Sequence, residues 1–212
     1  MPGGITLYYS PSACSLGAHI ALEEIGEPFE AVQIRLAEDE QHSSEYRAIN
    51  PRARVPALKV GDKVLTECPA ILFYLARAFP AAKLWPEDAW TEGQALSWMS
   101  FLATTVHIAF AQIIQPVRTT DDRGAHAAVQ AGGRAAALRH FTDINARLTG
   151  AEWVLGDRYS VVDPYLLVFY LWGERIGLPL EEVTTYRRLA ERVMQRPATR
   201  RAFAREGLRG PA

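Results

Sequence analysis

Ile5-Thr-Leu-Tyr-Tyr9, Ser10-Pro-Ser-Ala-Cys14 and Ser15-Leu-Gly-Ala-His-Ile-Ala-Leu-Glu-Glu-Ile25 follow one another near the start of the chain. The first run is rich in β-branched and aromatic residues and predicts a strand. The second carries proline and small polar residues and predicts a turn. In the third, Leu16, Ile20, Ala21 and Ile25 recur at helical spacing, with Gly26 at the stop position. Strand, turn and helix in this order open a β-α-β unit.

Downstream, Phe29–Ile34 alternates as a strand, and the polar run Glu38–Ala48 has helical potential. Val55–Val60 and Lys63–Leu65 flank the turn dipeptide Gly61-Asp62 and predict a hairpin. Glu67–Phe79 returns to helical spacing. The order β-α-β-(α)-β-β-α gives residues 1–80 a mixed sheet with helices packed on it. Pro80–Pro86 predicts a linker, with Trp85 placed to pin it.

Residues 87–212 contain no strand signal and predict an all-helical domain. Its helices are Trp90–Ile114, Asp121–Leu148, Tyr165–Trp172, Glu181–Met194 and Ala198–Arg205. Gly132-Gly133 inside the second marks a weak point, a kink or a close helix contact. Ser160-Val-Val-Asp163 reads as a capping box for the third, with Asp163 as its structural acid and Pro164 tolerated in the first turn. Arg196, Arg200, Arg201, Arg205 and Arg209 read as a solvated helix face.

The 212 residues are 49% hydrophobic and 22% charged, with a formal net charge of −1, so a chain of this kind buries a sizeable core. No clustered basic face points to nucleic acid. Met1-Pro-Gly-Gly-Ile-Thr6 lacks the basic-then-apolar pattern of a secretory signal, and no long apolar run predicts a membrane span. Two cysteines, Cys14 and Cys68, are too few for a disulfide scaffold, and no Cys/His set predicts a metal site. A reducing cytoplasm is the expected compartment.

Four places carry side chains suited to chemistry. Cys14 sits at the start of the first helix, where the positive helix end favours a thiolate or equips the thiol to stabilise another; the alternative is a small buried cysteine. Ser15 beside it is a hydroxyl donor or merely a cap. Val55-Pro56 opens a strand without a ladder donor. It suits an edge strand or a cis bond in a tight turn, and an edge would leave the Val55 backbone free to pair with an extended peptide-like ligand. In Thr66-Glu67-Cys68-Pro69, proline fits the first helical position and makes Cys68 the N-cap. The free N–H groups there suit a carboxylate and Glu67 an ammonium, or Glu67 only complements the helix dipole. Ser100, Thr104 and His107 fall at i, i+4 and i+7, a polar stripe facing a cleft or a satisfied helical histidine.

Leu7-Tyr-Tyr-Ser-Pro-Ser-Ala-Cys-Ser-Leu16, Ala48-Ile-Asn-Pro51, Val55-Pro-Ala-Leu58 and Leu65-Thr-Glu-Cys-Pro-Ala-Ile71 closely resemble bacterial beta-class glutathione S-transferases. Trp98–Phe110, Ser160–Asp163 and Arg196-Pro-Ala198 are similar to further signatures of that family, so the resemblance spans nearly the whole chain. It implies a thioredoxin-like N-terminal domain, a helical second domain, and a homodimer binding glutathione as co-substrate without a metal. It implies that Cys14 lies beside the glutathione sulfur, that Val55 and Pro56 pair with its cysteinyl backbone, and that Glu67 and Cys68 hold the γ-glutamyl group. Thr104, His107 and Ser100 would line the cleft, and Arg35 would meet the glycine carboxylate. Cys14, Ser15 and His107 would then activate the thiol for attack on a small hydrophobic electrophile. Thiol–disulfide exchange through Cys14, or a non-catalytic binding module on the same fold, are the alternatives. Cys68 stands where this group often has Ser, Ser100 where relatives have Asn, and Ile108 where relatives often have Lys.

Overall fold

The structure, a computed structural model, describes residues 4–208; Met1-Pro-Gly3 and Arg209 lie outside them. Strands β1 (Ile5–Tyr9), β2 (Glu30–Gln33), β3 (Ala57–Val60) and β4 (Lys63–Thr66) form one sheet in the order β2-β1-β3-β4. β1 runs parallel to β2 and antiparallel to β3, and β3 runs antiparallel to β4. Ladder pairing of β3 begins at Ala57, opposite both Tyr8 and Thr66. β3 is therefore an inner strand, which corrects the edge-strand reading of Val55-Pro56. That bond is cis and lies just ahead of the ladder.

The sheet is covered by α1 (Ser15–Ile25) and α3 (Cys68–Ala78), with the short α2 (Ser44–Ile49) beside it. Alternation along β1 buries Ile5, Leu7 and Tyr9, and Leu7, Ile20, Leu22, Leu58 and Ile71 form a fully buried core. α1 is buried from Ser15 to Glu23, not along one stripe. Its second side is covered by the helical half of the chain, through α7 (Val162–Arg175) and α9 (Pro197–Glu206). The polar run after β2 is broken: two 3-10 turns, Leu36–Glu38 and Glu40–His42, flank Asp39 at φ 56°, and only then does α2 begin. Trp85 does pin the linker, lying edge-on to Phe73 at 5.0 Å and donating from Nε1 to Glu92 at 2.8 Å.

The long helix runs from Ala89 to Ile114 as α4 (Ala89–Phe101), a π-helical turn (Leu102–Val106) and α5 (His107–Ile114). By length and composition it is apolar enough to cross a membrane, its most apolar 18-residue window having a mean hydropathy of 1.3, although polar residues such as Thr104, Thr105 and His107 keep it from being an uninterrupted apolar run. In this fold Trp98, Met99, Leu102, Val106 and Phe110 are buried inside the protein, while Leu96, Ile108 and Ile114 of the same helix stay exposed. α6 (His126–Arg147) starts later than expected, after a 3-10 turn at Arg123–Ala125. α8 (Thr184–Gln195) and α9 complete the described fold.

The two adjacent glycines of α6 differ. A Cβ on Gly133 would fall 2.8 Å from the Ala109 carbonyl oxygen and 3.0 Å from Gln112 and Ile113 of α5, whereas one on Gly132 meets nothing within 4 Å. Gly133→Ala is expected to lose about 1–2 kcal/mol because α5 must move away. Gly132→Ala should gain up to about 1 kcal/mol of helix propensity. Urea unfolding of both variants checks this; equal signs would refute the close contact.

Candidate active site

The turn Ser10–Cys14 leaves β1 and enters α1 with Cys14 as N-cap. The Cys14 thiol, half-buried, reaches the Val55 carbonyl oxygen at 3.6 Å. The Cys68 thiol, buried at the first residue of α3, donates to the Cys14 carbonyl oxygen at 3.3 Å. Cys14, Val55 and Cys68 are thus one cluster built from the start of α1, the loop before β3 and the start of α3. Glu67, and not Cys68 as expected, is the N-cap of α3, at φ 71° and with no side-chain cap bond. Its exposed carboxylate lies 3.7 Å from Arg52, whose guanidinium also donates to the Thr66 hydroxyl at 3.2 Å.

Burial decides the chemistry of these thiols. It pushes the Cys14 thiol up to about 12, against the lowering influence of its own N–H and that of Ser15, with nearby Glu67 adding to the rise. Burial likewise holds Cys68 well above the ordinary thiol range, with Cys14 next among the causes. The helix terminus alone therefore does not make Cys14 a thiolate; it is a protonated donor near neutrality.

Ser15 has a different task from the expected one. Its side chain is fully buried, donates to the Ser10 carbonyl oxygen at 3.1 Å and accepts from the Ser10 N–H at 3.2 Å. With its single proton committed to Ser10, it staples the turn and has none for a bound sulfur.

The opposite wall comes from the helical half. His107 is half-buried, with its ring 5.1 Å from Trp172 and 5.9 Å from Phe169; Trp172 also lies 5.4 Å from Phe110. Burial, with Arg54 and Arg118 nearby, lowers His107 to about 4, so its imidazole is neutral. Trp172 Nε1 donates to the Ser12 carbonyl oxygen at 2.7 Å, bringing this aromatic wall onto the Cys14 turn. Ser100 and Thr104 are exposed, and the Thr104 hydroxyl is used within the helix, donating to the Ser100 carbonyl at 2.9 Å. Ser100, Thr104 and His107 share a face only on an unbroken α-helix, and the π-turn between Ser100 and His107 breaks that register.

Arg35, beyond β2, contacts Glu38 at 3.1 Å and Glu40 at 3.2 Å. Among the described residues no hydrogen bond or ion pair joins it to Cys14, Val55 or Glu67. None of the described His, Cys, Asp or Glu residues gather in a group of three or more fit to hold a metal.

Local sequence patterns do not reveal what holds the Cys14 turn. Ser12, at φ 54°, accepts from Trp172 through its carbonyl, donates from its N–H to Glu206 Oε2 at 2.9 Å, and receives Arg175 at its hydroxyl at 3.0 Å. Glu206 Oε1 lies 2.9 Å from Nδ1 of the fully buried His19. The C-terminal arginines are likewise not all solvated: Arg201 and Arg205 bind Glu23, and Arg196 binds Glu24, fastening α9 to α1.

Residues 3–77 match the glutathione S-transferase N-terminal domain. A glutathione S-transferase of Escherichia coli O157:H7 is 30% identical over 206 residues, which cover 96% of this chain and 99% of that protein. This chain belongs to the glutathione S-transferase family. A glutathione transferase homologue from Sulfitobacter, solved with bound glutathione, superposes with a TM-score of 0.92 at 30% identity, covering 97% of this chain and 99% of the other. A bacterial beta-class glutathione S-transferase from Sphingomonas chungbukensis gives 0.85 at 33% identity, covering 96% of this chain and all of its own. The sheet is the thioredoxin-like half of that family's fold, and the remaining helices form its helical half.

Proposed function

We propose that this chain is a glutathione transferase in which Cys14 is a hydrogen-bond donor to the bound glutathione sulfur. The observation that carries the reading is the convergence of Cys14 and Cys68 on the loop and helix ends that present Val55 and Glu67. Glutathione is the ligand held by the Sulfitobacter homologue, and the cluster of Cys14, Val55, Glu67 and Cys68 has the groups to receive it. The Val55 backbone, following the loop into Pro56, takes the cysteinyl portion as an added strand segment. Glu67 receives the γ-glutamyl ammonium, and the uncapped start of α3, at Cys68, its carboxylate. Arg35 meets the glycine carboxylate by exchanging partners with Glu38 and Glu40.

An ordinary thiol, with a pKa near 8.5, is only slightly ionised at neutral pH. S–H donation from Cys14 and N–H donation from neutral His107 both stabilise the thiolate once it forms. The electrophile lies against Trp172 and Ile108, with Phe110 buried behind Trp172 and with Thr104 and Ser100 further along the helix. Holding both reactants in one cleft supplies proximity.

The reading extends to the beta class, on the likeness to the Sphingomonas chungbukensis protein, and to a homodimer. Val64, Phe73, Trp90 and Leu96, on β4, α3 and α4, are large apolar side chains left exposed and are suited to a partner subunit. The two free cysteines suit a reducing cytoplasm.

Cys14→Ala separates the roles of the thiol. Conjugation of glutathione to an aryl halide should fall about ten- to a hundredfold, the worth of one donor to a charged sulfur, while thiol–disulfide exchange should vanish. A loss of conjugation beyond about a thousandfold would make Cys14 a nucleophile. No heat of binding with millimolar glutathione would leave only a binding module for some other partner.

A further inference from the structure

The transferase reading leaves Cys68 without chemistry of its own. This buried thiol, 4% exposed, lies against the backbone of Cys14, 3.3 Å from its carbonyl oxygen. Its sulfur packs on the first turn of α1, at the residue whose side chain carries the other thiol. A bulky disulfide from solvent reaches the half-buried Cys14 more readily than the buried Cys68.

We infer that Cys14 and Cys68 form a dithiol centre that exchanges with glutathione disulfide, Cys14 attacking and Cys68 resolving. This rests on the proposed seating of glutathione beside Cys14. In the first step the Cys14 sulfur bonds to one sulfur of glutathione disulfide. The disulfide bond breaks, and one glutathione leaves, its thiolate taking the proton that Cys14 gives up. In the second step the Cys68 sulfur, giving up its proton, attacks Cys14 of this mixed disulfide, and the second glutathione leaves as a thiol. The sum is one glutathione disulfide reduced to two glutathiones and one Cys14–Cys68 disulfide formed. Reversal with two glutathiones restores the dithiol.

Direction and speed follow from the surroundings. A thiol held above the ordinary range is the stronger nucleophile once ionised, and glutathione, less perturbed, is the better leaving group. Because burial keeps both protein thiols protonated, exchange is slow at neutrality and accelerates as pH rises. The centre thus responds to lasting oxidation of the glutathione pool without competing with rapid conjugation. Closing the disulfide removes the Cys14 donor from the glutathione sulfur, so conjugation falls with it.

The test is incubation of the full chain with glutathione disulfide at pH 8.5, followed by intact mass and free-thiol titration. Wild type is expected to lose both titratable thiols, carry no glutathionyl group, lose conjugating activity by the same factor as Cys14→Ala and regain it with dithiothreitol. Cys68→Ser, with Cys68→Ala as a second variant, should instead accumulate one stable glutathionyl group on Cys14. A stable adduct on wild type equal to that on the variants overturns the inference alone and leaves the seating of glutathione intact. No adduct on either variant overturns both.

Discussion

Asp163→Ala is expected to lower the melting temperature at pH 7 by roughly 10 °C, a far larger stability effect than either glycine substitution in α6. Asp163 is fully buried at the start of α7. Its Oδ2 accepts from the Ser160 N–H at 2.8 Å and the Ser160 hydroxyl at 3.0 Å, and its Oδ1 accepts from the Val154 N–H at 2.8 Å. The Ser160 hydroxyl in turn accepts from the Val162 N–H at 3.2 Å. Truncation orphans two buried backbone donors as well as the cap, a loss of about 4 kcal/mol at 1–3 kcal/mol per unsatisfied group. Thermal unfolding followed by circular dichroism measures it. A change under about 2 °C would mean that the cap does not hold α7 and the Val154 loop together.

The same carboxylate sets a pH dependence. Burial, the largest influence, raises Asp163 to about 6, against the lowering pull of its hydrogen bonds; an unfolded chain has it near 3.9. The folded form binds the proton more tightly. Its contribution to stability is therefore fully present below about pH 4 and is lost as pH rises through 6, amounting to about 3 kcal/mol. Asp163→Asn, neutral throughout, lacks this dependence. Relative to the variant, wild type should become less stable between pH 4 and pH 6, and the difference should be flat above pH 7. A constant difference across that range would refute the raised pKa.

What could be read ahead of the structure was local. α1 announces itself by spacing and by Gly26, which sits in the left-handed region at φ 77°. The hairpin follows from Gly61-Asp62, and the capping box from Ser160 and Asp163, because those devices are complete within a few residues. The cluster of Cys14, Val55 and Cys68 was legible through family likeness, since each motif carries its own loop. The inner position of β3 was not, because proline before a strand looks the same ahead of an inner or an edge strand. The π-turn left no trace in Leu102–Val106, whose composition suits any helix. The hold on Ser12 was invisible for another reason: Glu206 and Trp172 are 194 and 160 residues away in sequence. A hint lay in Glu23-Glu24 at the end of an otherwise apolar α1, an acidic pair awaiting the arginines of α9.

Glu206→Ala is expected to produce the largest functional loss among residues that do not touch the ligand. Glu206 is buried and joins the Ser12 N–H to His19, whose Nε2 already lacks a partner. Its removal orphans both groups, costing about 3 kcal/mol, and takes away one of three anchors of a turn whose Ser12 lies at φ 54°. Cys14 begins two residues later, so its sulfur loses its fixed distance to Val55. A displacement of about 1 Å there is worth up to a hundredfold in kcat/KM. A plain stability defect would be silent at temperatures well below melting, so glutathione KM and kcat should be measured at 15 °C on folded protein. Trp172→Phe, which deletes the Nε1 bond to Ser12 but keeps an aromatic wall, should shift the same constants in the same direction. Glu206→Gln should recover part of the loss, since its amide still accepts from Ser12 and can donate to the other tautomer of His19. Arg201→Ala, which loosens α9 from α1 without touching Ser12, should leave kcat/KM within about twofold. If Arg201→Ala and Glu206→Ala reduced activity equally, α9 would act only as a general support, and the Ser12 anchors would have no particular part in placing Cys14.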